Sequence, residues 1–239
     1  MNVVFVKKGK YKKGDAAFTQ IAEAVRHFLV LSGKPDPADP EASSFTADMI
    51  SRTPEGRPYL KVSEGIDVPV SGSLDISVTH SGDVWMCLVS DRRCGVDFQY
   101  LKGESVLHKI ERYYTEGERE YIEGGGTGQF TGSFLKTEEG RYGRFFDVWV
   151  RREALGKYEG HGLFGNYPDA APGGMLAESV YFVNDKRTEH KQVFIHEISA
   201  SMLADAGVTV PAEFRAAVVS EIDEMPEVRL LDKGGECDV

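Results

Sequence analysis

The chain opens on a short apolar run, NVVFV at residues 2–6, which reads as a strand. In GDAAFTQIAEAVRHFLVLSGKP the period changes. Phe18, Ile21, Ala22, Val25, Phe28 and Leu29 fall on one face of a helix, with Asp15 placed to cap its start and Gly33 and Pro35 to stop it. KPDPADPEAS is a Pro- and Asp-rich connection, and SRTPEGRPYLKV is a turn leading into a short extended segment. From residue 73 the period becomes two, with Leu74, Ile76 and Val78 on one face and Asp75, Ser77 and Thr79 on the other. DVWMCLVS is a continuous apolar run of strand length, DRR its turn, and CGVDFQY the return strand of a hairpin. In that return strand Asp97 and Gln99 share a face opposite Cys94, Val96, Phe98 and Tyr100.

The remainder repeats the proportions of the beginning. ESVLHKIERYYTEGEREYIEG is helical in parts, GGGTGQFTGSF is a loop, and GRYGRFFDVWVRREALGKYEG is a helix that fades at its glycines. SVYFVND and KQVFIHEIS read as strands, followed by a final pair around RAAVVSEI and EVRLLD. The pattern predicts an α+β fold of two similar α/β halves, residues 1–102 and 103–239, joined near residues 100–106.

Composition narrows the function classes. With 239 residues, 41% of them hydrophobic, the chain can bury a substantial core. A net charge of −10 disfavours nucleic acid as a partner, because phosphate neutralisation needs a basic field. An anionic ligand would instead need local clusters such as Lys7, Lys8, Lys10, Lys12 and Lys13, Arg92 and Arg93, or Arg141 through Lys157. No stretch approaches a membrane span, and the lysines follow the first apolar run, the wrong order for a signal peptide. Cys87, Cys94 and Cys237 form no CxxC pair or disulfide framework, so the expected setting is reducing and cytoplasmic.

Chemistry concentrates in a few places. Trp149, Glu153 and Lys157 stand at i, i+4 and i+8 on a helix, with Arg152 beside that stripe. They make either an exposed Glu–Lys pair or, if Trp149 draws the stripe inward, a buried carboxylate partnered by Lys157 or a metal ion. Asp97 is either a solvated strand residue or, with Glu153, a second hard oxygen ligand suited to Mg²⁺. In THSG, His80 and Ser81 are neighbours on an extended chain and point apart. His80 is thus poorly placed to activate Ser81, and a phosphate approach suits the segment better than a hydrolytic nucleophile. GGGTG at 124–128 lacks the ending of a P-loop, and His190, His196 and Glu197 lack the spacing of a zinc motif.

GRPYL (56–60), SVTHSG (77–82), GVDFQ (95–99) and FFDVWVRREALGKYEGHGL (145–163) resemble, in order and spacing, the signature segments of the 4'-phosphopantetheinyl transferases, specifically the surfactin-synthetase-activating type. The resemblance implies two α+β halves related by a pseudo-twofold in a monomer, with coenzyme A in the cleft between them and Mg²⁺ on its pyrophosphate. The implied reaction moves the phosphopantetheine arm to a serine of an acyl or peptidyl carrier protein and releases 3',5'-ADP. By position, Asp97 and Glu153 match metal ligands, and Arg57 and Pro58 match the segment beside the adenine. His80 and Ser81 match phosphate contacts, Arg152 and Lys157 match the basic residues of the last motif, and Thr19 matches a 3'-phosphate contact.

Two positions depart from the family pattern. Gln99 stands where a second acid is usual, leaving a neutral carbonyl oxygen or a water to complete the metal site, and Arg152 replaces a lysine. The charge built up in phosphoryl transfer would be met by Mg²⁺, Lys157, Arg152 and His80. Glu153, directly or through a water on the metal, is the candidate base. The segment with Arg112, Tyr113, Tyr114 and Arg119 is the expected carrier-docking surface. The competing classes are a non-catalytic coenzyme A or nucleotide-binding protein and a metal-dependent phosphodiesterase, the latter short of His and Asp ligands here.

Overall fold

The first four-stranded sheet has the order β10-β1-β5-β4, from β1 (Asn2–Lys8), β4 (Asp75–Ser81), β5 (Val84–Ser90) and β10 (Glu227–Leu230). The second has the order β6-β9-β8-β7, from β6 (Cys94–Tyr100), β7 (Ser179–Val183), β8 (His190–Glu197) and β9 (Phe214–Ser220). A small hairpin pairs β2 (Ile50–Arg52) with β3 (Pro58–Leu60). The helices are α1 (Asp15–Leu31), α2 (Glu116–Glu123), α3 (Glu138–Glu159) and α4 (Ala200–Asp205). These come from a computed structural model, which describes residues 1–9, 15–33, 45–61, 74–101, 114–124, 138–160, 165, 167–183 and 190–231. The fold is thus mixed α+β, as expected.

Strand periodicity builds the layers. On β1, Val3 and Phe5 point to one face and pack with Ile21, Val25 and Phe28 of α1, while Val4 and Val6 point to the other and meet Val96, Phe98 and Val218 of the second sheet. The far face of the second sheet, with Val193, Ile195 and Val219, packs on Val150, Leu155 and Tyr158 of α3. The order is therefore helix, sheet, sheet, helix, with both sheets covered on both faces.

The strand CGVDFQY is not the return strand of a hairpin with β5. Both edges of β5 are already taken: β4 turns into it through Gly82 (φ 57°), and β1 pairs along its other side. β6 crosses instead to the second sheet and pairs antiparallel with β9. The chain end does the converse, since β10 pairs not with β9 but parallel with β1. By sheet membership the second half thus begins at Cys94 rather than at residue 103, and the last strand returns to the first sheet. A strand order recurs: β1, β5 and β4 lie as β1-β5-β4, and β6, β9 and β8 as β6-β9-β8, although β4 and β5 form a hairpin whereas α4 separates β8 from β9 and β7 precedes β8. The helix expected to fade at its glycines instead runs for 22 residues through Gly140, Gly143 and Gly156, and α4 is a helix the pattern did not announce.

The two sheets meet along β4 and β6 by side chains rather than by backbone pairing. Asp75, Ser77, Thr79 and Ser81 accept in turn from the amides of Cys94 (2.8 Å), Val96 (3.0 Å), Phe98 (3.3 Å) and Tyr100 (3.2 Å). The polar face of β4 therefore satisfies the outward amides of the β6 edge, and Ser77, Thr79 and Ser81 are buried. Elsewhere Asn2 on β1 bonds Ser90 on β5 (2.7 Å) and Ser220 on β9 (2.9 Å), a second buried polar tie between the sheets.

Helix α3 reaches β6 through Gly95. A Cβ there would lie 2.1 Å from the Ala154 carbonyl oxygen and 2.8 Å from the Tyr158 amide. Gly95→Ala is expected to push the helix off the strand at a cost of about 3 kcal/mol, read as a lowered urea midpoint, because helix backbone has no room to yield. An unchanged midpoint would mean the helix is less firmly seated than this contact implies.

Candidate active site

A cleft of about 500 Å³ opens where the β4 edge of the first sheet meets the β6 edge of the second, within the size range of small-molecule sites. Two further pieces close it: the β2–β3 hairpin brings Arg52, Glu55, Arg57 and Pro58, and α3 brings Trp149, Glu153 and Lys157, while β4 itself supplies Thr79 and His80. Asp97 and Gln99 enter from β6. Four sequence segments separated by up to some ninety residues thus supply one cavity.

Asp97 lies at its floor, 6% exposed, for a strand carboxylate on the face toward α3 is not solvated. Its Oδ1 accepts from the Thr79 hydroxyl (2.8 Å) and from Lys157 Nζ (2.8 Å), and Lys157 also donates to the Val96 carbonyl (2.9 Å). One helical turn earlier Glu153 faces the same cleft. Burial, and then the negative charge of Asp97, push its carboxyl up to about 7 against the opposing pull of Lys157. The stripe Trp149, Glu153, Lys157 is therefore the inward one, and its Glu–Lys pair is not a solvent-exposed surface pair.

The donor set fits a hard divalent cation. Asp97 and Glu153 are two carboxylates with a single lysine against them, and hard oxygen donors of this kind are what such a cation accepts. Gln99 donates its amide nitrogen to Ser81 Oγ (3.1 Å) and to the Tyr100 carbonyl (2.9 Å), which leaves its carbonyl oxygen as the amide atom for the cleft. Among the described residues no cluster of three or more His, Cys, Asp or Glu side chains forms. A cation here would draw its remaining ligands from an amide oxygen, water and substrate.

Ser81 is not at the ligand surface. It is 4% exposed and its Oγ is occupied by Gln99 and the Tyr100 amide, so it registers β6 rather than contacting a phosphate. Its neighbour His80 is exposed and lines the cleft, as adjacent strand residues must point apart.

Arg57 lines the cleft but is committed to the protein. Its guanidinium donates to the carbonyls of Lys157, Tyr158 (3.0 Å) and Cys94 (3.1 Å) and pairs with Asp75. Arg93 adds bonds to the Tyr158 and Glu159 carbonyls, both 2.6 Å. Together they satisfy the C-terminal carbonyls of α3 and place positive charge at its negative pole. Arg57 therefore holds Pro58 and the α3 terminus in place, with both of its terminal nitrogens engaged by the protein. Sequence reasoning missed Arg52, which lies over the Phe18 ring (5.4 Å), bonds the Gly56 carbonyl (2.5 Å) and lines the same wall. No alternation marks it, since Ile50, buried, and Arg52, exposed, stand two apart on one face of β2.

The structure does not bring Arg152 or Thr19 to the cleft. Arg152 is one residue, hence about 100°, around α3 from Glu153. It is buried, and its Nη1 donates to both oxygens of Glu118 (3.1 and 3.0 Å). Thr19 is exposed on α1 and is not part of the cavity lining, although Phe18 beside it supports Arg52. Of the expected docking surface, Arg112 and Tyr113 lie outside the described residues, Arg119 is on α2, and Tyr114 is buried in a cluster with Phe145. His190 and His196 stand on β8, away from the cleft. No helix among the described residues is long and apolar enough to cross a membrane. No family model and no curated protein matches the chain.

Proposed function

We propose that the chain is a 4'-phosphopantetheinyl transferase, which moves the phosphopantetheine arm of coenzyme A to a serine of an apo acyl or peptidyl carrier protein. The observation that carries the reading is the convergence of Arg57 and Pro58, His80, Asp97 and Gln99, and Glu153 and Lys157 on one cleft. These are the residues of four separate sequence segments chosen for their resemblance to that family. The recurrence of one strand order in the two sheets, β1-β5-β4 and β6-β9-β8, supports the reading of two pseudo-twofold halves with coenzyme A between them.

In the proposed reaction the carrier serine oxygen forms a bond to the phosphorus that bears the pantetheine arm. The bond from that phosphorus to the bridging oxygen breaks, and 3',5'-ADP leaves with that electron pair. Mg²⁺ held by Asp97, Glu153 and the Gln99 carbonyl would supply charge neutralisation at the pyrophosphate. Lys157, already beside Asp97, and His80, exposed on β4, meet charge that develops on the transferred phosphoryl oxygens. Glu153 takes the serine proton, directly or through a water. Trp149 gives the cleft an apolar wall.

Incubation with Mg²⁺, coenzyme A and a panel of apo carrier proteins, followed by intact-mass spectrometry, should show a carrier heavier by the phosphopantetheine arm. Gln99 in place of an acid favours one alternative, a non-catalytic coenzyme A-binding protein. Coenzyme A binding without any heavier carrier would establish that reading instead.

A further inference from the structure

Asp97 and Thr79 come from different sheets, yet they share the shortest side-chain contact across the β4–β6 seam that reaches the cleft floor. The Thr79 hydroxyl has one proton and two lone pairs. It accepts from the Phe98 amide (3.3 Å), so its proton is free to be directed elsewhere, and the acceptor in reach is Asp97 Oδ1 at 2.8 Å. Thr79 is itself 5% exposed, and as a β-branched side chain it has few rotamers with which to leave this position. The same Oδ1 receives Lys157 from α3, so three elements meet on one oxygen. Asp97 Oδ2 accepts no hydrogen bond from the described residues. The other hydroxyl rungs differ: Ser77 and Ser81 accept from Val96 and Tyr100 and donate to no carboxylate of the cleft.

We propose that Thr79 is a positioning residue that fixes the Asp97 carboxylate from across the sheet boundary, occupying Oδ1 so that Oδ2 is the oxygen presented to a divalent cation. The inference rests on the metal-dependent reading of the cleft. Its consequence is that the register between the sheets, set by the β4 side chains, is coupled directly to metal affinity. Removing a hydrogen-bond partner of this kind lowers metal affinity by about 10-fold or more.

The test titrates the full chain with Mn²⁺ and follows free Mn²⁺ by electron paramagnetic resonance. Thr79→Val keeps the shape and removes the hydroxyl, and Thr79→Ala, run in parallel, removes it without steric burden. Both should raise the Mn²⁺ dissociation constant about 10-fold or more, and Thr79→Ser should restore it. Ser220→Ala removes a buried hydroxyl that bonds Asn2 and the Ile222 amide away from the cleft, and it should lower the melting temperature without moving the dissociation constant. If the wild type binds Mn²⁺ and the folded Thr79 variants match it within twofold, the positioning role is overturned and the metal site stands. If the wild type itself binds none, the metal-dependent reading falls and this inference with it.

Discussion

Glutamine in place of Glu153 is expected to lower phosphopantetheine transfer by about 10²–10³-fold while making the metal-free protein more stable at pH 8. Both effects have one origin. Burial and the neighbouring Asp97 raise the Glu153 carboxyl from its ordinary range near 4.5 to about 7, so the folded protein holds a proton there that the unfolded chain has released. A group raised in this way contributes stability that is present below pH 4.5 and is lost as pH climbs through 7. The charge forced on Glu153 at pH 8 costs the metal-free fold roughly 3 kcal/mol. The glutamine variant should flatten the fall in melting temperature between pH 5 and 8, and saturating Mg²⁺ should stabilise the wild type more than the variant. A variant that transfers at the wild-type rate, or whose pH–stability profile overlays the wild type, removes Glu153 from the centre of the site.

Much of this site was legible because its residues lie on regular elements whose period fixes direction. The i, i+4, i+8 spacing put Trp149, Glu153 and Lys157 on one stripe, and the partly buried Trp149 settles that the stripe faces inward. The alternation along β6 put Asp97 and Gln99 on one face, and both line the cleft. What the pattern could not carry was the identity of the surface each face meets. Asp75, Ser77, Thr79 and Ser81 alternate as a solvent-facing strand would, yet they bond the β6 edge. That pairing is non-local in kind, because period two reports that a face is polar and not whether water or an amide row satisfies it. The same gap explains the misplaced β6 and β10, whose partners depend on which strand edges remain open after β1, β4 and β5 have paired.

Ser81 and Arg57 show a second limit. Both matched the family segments as ligand contacts, and both have their polar groups occupied by protein partners instead. A sequence motif records that a side chain of given chemistry is needed at a position. It does not record whether the need is first met by a backbone carbonyl or by a substrate oxygen. In this cleft the arginine that ties Pro58 to the end of α3 and the serine that registers β6 hold the walls, while His80, Asp97, Glu153 and Lys157 present groups to the interior.

Arg152 is where the two roles give opposite experimental results. Its guanidinium bonds Glu118, which is 0% exposed, and lies near the rings of Tyr114 (5.6 Å) and Tyr167 (5.8 Å). Glu118 also caps α2, accepting from the Thr115 amide at 2.9 Å while its own amide bonds the Thr115 hydroxyl, and it accepts from the Ala170 amide at 3.1 Å. Arg152→Met therefore strands a buried carboxylate in an apolar surround, at a cost of about 3–5 kcal/mol. For a chain of this length that should lower the melting temperature by on the order of 10 °C. Because Arg152 is absent from the cleft lining, the KM for coenzyme A of the folded protein should stay within about twofold of wild type. Adding Glu118→Gln removes the stranded charge yet keeps a capping-box side chain, so the double variant should recover most of the lost stability. A single variant with an unchanged melting temperature and a tenfold higher KM would instead return Arg152 to the role of a phosphate contact.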